Sequence, residues 1–202
     1  MTKLAPALLA ATLSLALAAS AQPPPHIGYV YPAGGRQGTS FAVTLGGQSL
    51  DGVTNVFVSG ASRPSNRVPF AVDALPECLE APENSPTNAQ PVELPVVVNG
   101  RLEAPGDVDC YRFEGRAGER LVAEVLARRL DSPLDSFLKL TDAAGRQLAF
   151  NDDHEDKASG LDTHHADSYV AATLPSNGAY CVHVSDTQRH AAQTSRWRHG
   201  QA

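Results

Sequence analysis

From Pro95 to Val184 the chain passes through seven short β-prone runs, and almost every gap between them carries a glycine turn. The runs are Pro95–Gly100, Asp109–Phe113, Leu121–Ala127, Phe137–Thr141, Leu148–Phe150, Tyr169–Leu174 and Tyr180–Val184. Pro105-Gly106, Ala117-Gly118, Ala144-Gly145 and Asn177-Gly178 stand between them. Short strands at this spacing, bounded by turn chemistry, predict an antiparallel β-sandwich. Leu121 to Leu130 also fits a helical period through Leu121, Val122, Val125, Leu126 and Arg129. The strands around it favour a strand there.

Composition agrees with a turn-rich fold. With 16 Gly and 15 Pro in 202 residues, 42% hydrophobic and 19% charged, a core can form but loops are many. Lys and Arg number 16 against 22 Asp and Glu, a net charge of −6, and no basic run is long enough to follow a phosphate backbone. Nucleic acid is therefore not an expected partner.

The N-terminus sets the expected compartment. Lys3 precedes an apolar stretch from Leu4 to Ala19, which ends at Ala19-Ser20-Ala21 before Gln22. This is the layout of a secretory signal peptide over residues 1–21. It is short for a membrane span, and no other apolar run approaches that length, so no membrane span is expected after cleavage. Cleavage removes one lysine and no acid, leaving 15 basic against 22 acidic residues, or −7. A secreted, periplasmic or cell-surface location follows. There Cys78, Cys110 and Cys181 meet an oxidising environment in which a Cys110–Cys181 bridge or three unpaired thiols are both open. Cys110 and Cys181 fall on the strand face opposite the larger apolar residues Tyr111, Phe113, Tyr180, Val182 and Val184.

Between the leader and the sandwich lie two further stretches. Residues 27–58 alternate β-prone runs with Gly34-Gly35 and Gly46-Gly47, both read as turns, and Val68–Val72 has the pattern of a closing strand. The string YPAGGRQGTSFAVTLGGQSLDGVTNVFVSG resembles the opening of an immunoglobulin-like IPT/TIG module. A full module of that kind needs about 100 residues, so residues 22–72 read as a partial Ig-like segment. Residues 73–95 hold five prolines and no apolar periodicity, and read as an extended linker and domain boundary.

The strings VVVNGRLEAPGDVDCYRFEGRAGERL, SPLDSFLKLTDAAGRQLAFNDD and LPSNGAYCVHVSD, in that order and spacing, resemble the bacterial pre-peptidase C-terminal domain. The resemblance covers Glu80 to Asp186, with the sandwich itself at 96–186. It implies an all-β, jelly-roll-like sandwich similar to collagenase collagen-binding domains, and a non-catalytic accessory role on an exported peptidase or other exported protein. Its expected partners are a peptidase or an extracellular protein or polysaccharide. Such domains usually close with a strand of alternating aromatic and aliphatic residues. Residues 187–202 are instead polar and basic, with Trp197 as the one large apolar group. The final strand is thus expected to be absent or replaced, as in a truncated domain, a detached peptidase tail or a truncated cell-surface protein.

Asp107 and Asp109 flank Val108 at the entry to a strand, so both carboxylates point to one side. The resemblance implies that Glu80, Glu83 and Asn84 lie alongside them. Oxygen ligands of this kind suit calcium, against the alternative of a solvated acidic turn. The spacing is not that of an EF-hand, because Arg112 and Gly118 stand where Gly and Glu are required. A second candidate cluster comprises Asp135, Asn151, Asp152 and Asp153, extended by Glu155, Asp156 and Asp162. It too fails the EF-hand pattern and reads better as a polar loop. His154, His164, His165 and His183 raise zinc, but no HExxH occurs and loop histidines are the commoner explanation. No GxSxG elbow or GK[ST] phosphate loop is present, so no enzyme is expected.

Overall fold

The computed structural model describes residues 23–51, 66–154, 164–187 and 193–201, so the expected leader at 1–21, the run Val53–Val58 and the acidic residues Glu155, Asp156 and Asp162 lie outside the described residues. Fourteen strands follow in chain order. They are β1 (His26–Tyr31), β2 (Gly34–Arg36), β3 (Thr44–Gln48), β4 (Ala71–Asp73), β5 (Glu77–Leu79), β6 (Gln90–Pro91) and β7 (Val96–Leu102). Then come β8 (Val108–Gly115), β9 (Arg120–Leu126), β10 (Ser136–Asp142), β11 (Gln147–Asn151), β12 (Tyr169–Thr173), β13 (Gly178–Asp186) and β14 (Gln193–Gln201). Among the described residues a single 3-10 turn, Arg128–Leu130, follows β9, and no helix is long and apolar enough to cross a membrane.

Two five-stranded sheets, β11-β10-β13-β8-β6 and β12-β9-β14-β7-β5, face each other as a sandwich. Tyr111, Phe113, Leu138, Leu140, Tyr180, Val182 and Val184 from the first meet Val96, Val98, Leu102, Leu121, Ala123, Val125 and Val170 from the second in one core. The alternation of these residues along their strands decides which faces are buried. In β7 the run Val96-Val97-Val98 is buried throughout, so this strand is covered on both faces. The predicted turns sit where backbone of positive φ is needed: Gly106 at 84°, Gly118 at 83° and Gly145 at 77°.

The strand favoured over a helix at Leu121–Leu130 is present as β9, which pairs with both β12 and β14 and is followed by the 3-10 turn. Other expectations change. The glycine pairs read as turns lie inside strands: Gly34-Gly35 in β2 and Gly46-Gly47 in β3. Their role is close approach, since a Cβ on Gly35 would strike the Phe41 ring and one on Gly46 the Tyr29 ring. β1 pairs antiparallel with β3, and β2 pairs parallel with β4, giving two two-stranded ribbons in place of an Ig-like sheet.

The proline-rich stretch carries more structure than a linker. β5 adds a parallel edge to β7, β6 adds one to β8, and Cys78, Val92 and Leu94 pack partly against the core. It is a strap that borders both sheets. The polar tail also differs from expectation, because residues 193–201 form the strand between β7 and β9. Register sets Trp197 opposite Val98 on one side and Val125 on the other. The position of a closing strand is filled without an aliphatic pattern, since ladders on both sides satisfy its backbone.

Candidate functional site

The strap brings Glu80 to the end of β8. Its backbone N–H donates to the Asn99 carbonyl at 3.0 Å, and its Oε2 accepts the Arg101 N–H at 2.6 Å, so β7 fixes it at both ends. On β8, Asp109 shares the parity of the core residues Tyr111 and Phe113 and is 1% exposed. No N–H or hydroxyl reaches either of its carboxyl oxygens. Its polar neighbour is the Glu80 carboxyl, and the two can hydrogen-bond only by sharing a proton. Burial, that hydrogen bond and the charges of Glu80, Asp107 and Glu103 push the Asp109 pKa up to about 10. Burial also raises Glu80, with the neighbouring Asp109 and the Arg101 N–H pulling the other way.

Asp107 closes the turn before β8. Its Oδ2 accepts the Glu103 N–H and its Oδ1 the Val108 N–H, each at 2.9 Å. Glu103 joins the acidic group at the end of β7, a residue that sequence reasoning missed. Its place in the short turn between β7 and β8 was the signal available. Asn84 is buried, and its Oδ1 accepts the Cys110 N–H at 3.1 Å and the Gln90 N–H at 3.4 Å, which clasps the strap to β8. Its Nδ2 has no hydrogen-bond partner. Glu83 contributes through its backbone: φ is 61°, and its carbonyl accepts Asn88 Nδ2 at 3.2 Å.

The structure thus brings Glu80, Asp107 and Asp109 into one acidic neighbourhood, with Asn84 beside it as a clasp and Glu83 present through its main chain. The side-chain donors are oxygens, the set a hard cation takes. Among the described residues no three His, Cys, Asp or Glu side chains stand together as a ready metal centre. What fits a cation here is the buried Asp109 carboxyl that lacks any compensating donor.

In the second cluster, Asn151 and Asp152 make local hydrogen bonds, and Glu155, Asp156 and Asp162 lie outside the described residues. Asn151 Oδ1 accepts the Tyr169 N–H at 2.9 Å and its Nδ2 donates to the Asp153 carbonyl at 2.7 Å. Asp152 Oδ1 accepts the Asp153 N–H at 3.1 Å, and the Asp135 carbonyl accepts the Thr187 N–H at 2.9 Å. His154, His164 and His165 are neighbours through the main chain, the His154 N–H donating to the His165 carbonyl at 2.8 Å, and His183 lies apart from them on β13. His154 stacks on Tyr169 and His164 on His165, each pair with centroids 4.6 Å apart.

His183 stands in a cluster of its own on the outer side of β8, β13 and β10. Cys110 Sγ lies 2.9 Å from its Nδ1 and Thr141 Oγ1 3.0 Å from its Nε2. Burial drives the Cys110 thiol up to about 12, while burial and Lys139 drive His183 down to about 4. Thiol and imidazole both stay neutral, the opposite of a thiolate–imidazolium nucleophile. All three cysteines are free, and the considered Cys110–Cys181 bridge is not formed. Register explains this: His183 sits opposite Cys110, and Cys181 is displaced to face Arg112. On the core side of β13, Tyr180 is buried and donates its hydroxyl to the Ser176 carbonyl at 2.6 Å.

No family model matches the chain. A probable subtilase-type serine protease of Deinococcus radiodurans is 37% identical over 122 residues, covering 57% of this chain and 15% of that protein. Among solved structures, the pre-peptidase C-terminal domain of a Bacillus anthracis collagenase is 16% identical, with a TM-score of 0.42, covering 58% of this chain and 99% of that one. A periplasmic inhibitor of g-type lysozyme from Aeromonas hydrophila has the same TM-score of 0.42 at 11% identity, over 62% of this chain and 99% of that one. The chain therefore spans about 15% of the length of the curated protease it matches, and resembles a part of it.

Proposed function

We propose that the chain is a secreted, non-catalytic β-sandwich module of the pre-peptidase C-terminal type, the accessory part of an exported peptidase, whose strap is fixed to the sandwich by calcium. The observation that carries the reading is Asp109: a carboxyl 1% exposed, without a donor, beside Glu80 and within the field of Asp107 and Glu103. A bound calcium ion would supply the positive charge that this pocket lacks. Glu80 and Asp109 would supply its side-chain oxygens, with Asp107 and Glu103 adding to the negative field and Asn84 clasping the strap close by. Glu80 belongs to the strap and Asp109 to the sandwich, so an ion shared between them ties the two together.

The peptidase association is supported by the 37% identity to a segment of a much longer protease. The non-catalytic reading is supported by the state of the Cys110–His183 pair, in which a buried neutral thiol cannot act as a nucleophile. Export rests on residues 1–21, with cleavage before Gln22. Extracellular protein or polysaccharide remains the expected class of binding partner. The test is to incubate the purified exported chain with casein, gelatin and ester substrates. All should stay intact, and hydrolysis abolished by one Ser, Cys or His substitution would overturn the accessory role.

A further inference from the structure

The sheet containing β11, β10, β13 and β8 turns one face to the core and the other outward. On the outward face Phe150 of β11 stands opposite Lys139 of β10, which stands opposite His183 of β13 and then Cys110 of β8. Phe137 lies on the same face two residues before Lys139, and Arg112 two residues beyond Cys110. The rings of Phe137 and Phe150 pack with centroids 6.0 Å apart, yet Phe150 is 57% exposed. Neither Lys139 nor Arg112 forms an ion pair among the described residues, whose salt bridges belong to Arg129 and Arg146. The Lys139 ammonium is close enough to the neutral Cys110–His183 pair to act on both. Burial raises the thiol and lowers the imidazole, and Lys139 opposes the first shift and adds to the second. The acids of these strands stand elsewhere: Asp109 and Asp186 are buried, Asp142 is paired with Arg146, and Glu114 lies at the far end of β8. On a chain of net charge −6, this face offers two cations and an open aromatic pair with no anion to match them.

We propose that this outward face docks an acidic polysaccharide, with uronate carboxylates held by Lys139 and Arg112 and sugar rings laid on Phe137 and Phe150. This deepens the accessory reading given above, on which it rests, and needs no metal. β10 and β13 are hydrogen-bonded on both sides, so they offer no free ladder to a peptide, which docks on sheets by adding a strand at an open edge. A ligand on this face has to bring its own apolar and charged surfaces. A uronate ring has both, a C–H face that packs on an aromatic ring and a carboxylate that accepts from a cation. Lys139 and Arg112 stem from strands about 10 Å apart across the sheet, and so suit two carboxylates along one polymer better than a single small anion. The negative charge elsewhere on the chain repels such a polymer and confines it to this face.

The test uses the full chain in chelator, which keeps the acidic pocket out of the comparison. Binding to immobilised polygalacturonate and alginate is measured by biolayer interferometry against neutral dextran and poly-L-glutamate. The proteins are the parent, Lys139→Gln, Phe150→Ala and Val72→Ala, a control at an exposed apolar residue of β4, with circular dichroism to verify that each is folded. The parent should bind a uronate polymer more tightly than dextran or poly-L-glutamate, and salt should weaken that binding. The dissociation constant should rise about 5-fold in Phe150→Ala and about 3-fold in Lys139→Gln, and stay unchanged in Val72→Ala. No binding to either uronate polymer, equally tight binding to dextran or poly-L-glutamate, or uronate binding unmoved by both substitutions would overturn the docking surface. Hydrolysis of the polymers would overturn the accessory reading instead.

Discussion

The carboxyl of Asp109 on β8 is sealed against that of Glu80 on the strap, and no donor from the surrounding chain reaches Asp109. A pair of this kind makes an unusual pH signature. The folded pKa of Asp109, about 10, lies far above the ordinary value, so the folded form retains a proton that the unfolded chain has lost. Its favourable contribution is present below the unfolded pKa near 4 and is lost as pH rises toward 10.

Asp109→Asn removes that penalty. In chelator at pH 8 the variant should melt higher than the parent, with about 1 kcal/mol or more of added stability, since an amide, unlike the carboxylate, need not take up a proton in order to be buried. For a domain of this size each kcal/mol moves Tm by about 2–4 °C. Thermal melts in chelator at pH 5 and pH 8 check this, and the gain should be larger at pH 8.

His183 acts in the other direction. Its folded pKa near 4 is below the unfolded value near 6.5, so its contribution is complete above pH 6.5 and is lost as pH falls toward 4. His183→Gln should flatten the acid limb of the stability profile, measured by denaturant unfolding between pH 4 and pH 7.

The same cluster predicts thiol reactivity. Cys110, with no exposed surface and its pKa pushed up to about 12, should resist an aromatic disulfide reagent in the native state. Cys78 and Cys181 are partly exposed and should react first. Mass mapping of the labelled peptides distinguishes them, and denaturant should release all three.

Asp167 carries a separate load. It is nearly buried, accepts the N–H groups of Ala127 at 3.0 Å and Arg128 at 2.7 Å, and pairs with Arg129 Nε at 2.7 Å. Asp167→Ala leaves Arg129 Nε and the backbone N–H groups of Ala127, Arg128 and Arg129 without their acceptor, while Glu124 and the Val125 carbonyl still hold the guanidinium, and should destabilise by about 2–3 kcal/mol. Urea unfolding reads this directly.

The sandwich strands were legible because period-2 patterning and glycine turns coincide from Val96 to Asp186. Asp107 and Asp109 were legible for the same reason: flanking Val108, they had to share a face. Strand β14 was not, because a strand inserted between β7 and β9 is held by ladders on both sides, and QTSRWRHGQ carries no apolar alternation. Nor were the strap strands β5 and β6, at three and two residues too short to show a period. Gly46-Gly47 looks like a turn locally, and only the Tyr29 ring lying over it reveals why a strand there needs glycine. Glu103 escaped because its place in the acidic group depends on the turn closed by Asp107 between two strands of different sheets, which no period along the chain announces.

The most direct measurement is the thermal midpoint of the parent and of Asp109→Asn with and without calcium. Calcium at a hundredfold over its dissociation constant should stabilise the parent by about 2.7 kcal/mol, while Asp109→Asn should lose most of that shift and Asp153→Ala should keep it. A parent whose melting is indifferent to calcium, or a shift removed by Asp153→Ala and retained by Asp109→Asn, would contradict a cation site between the strap and the sandwich.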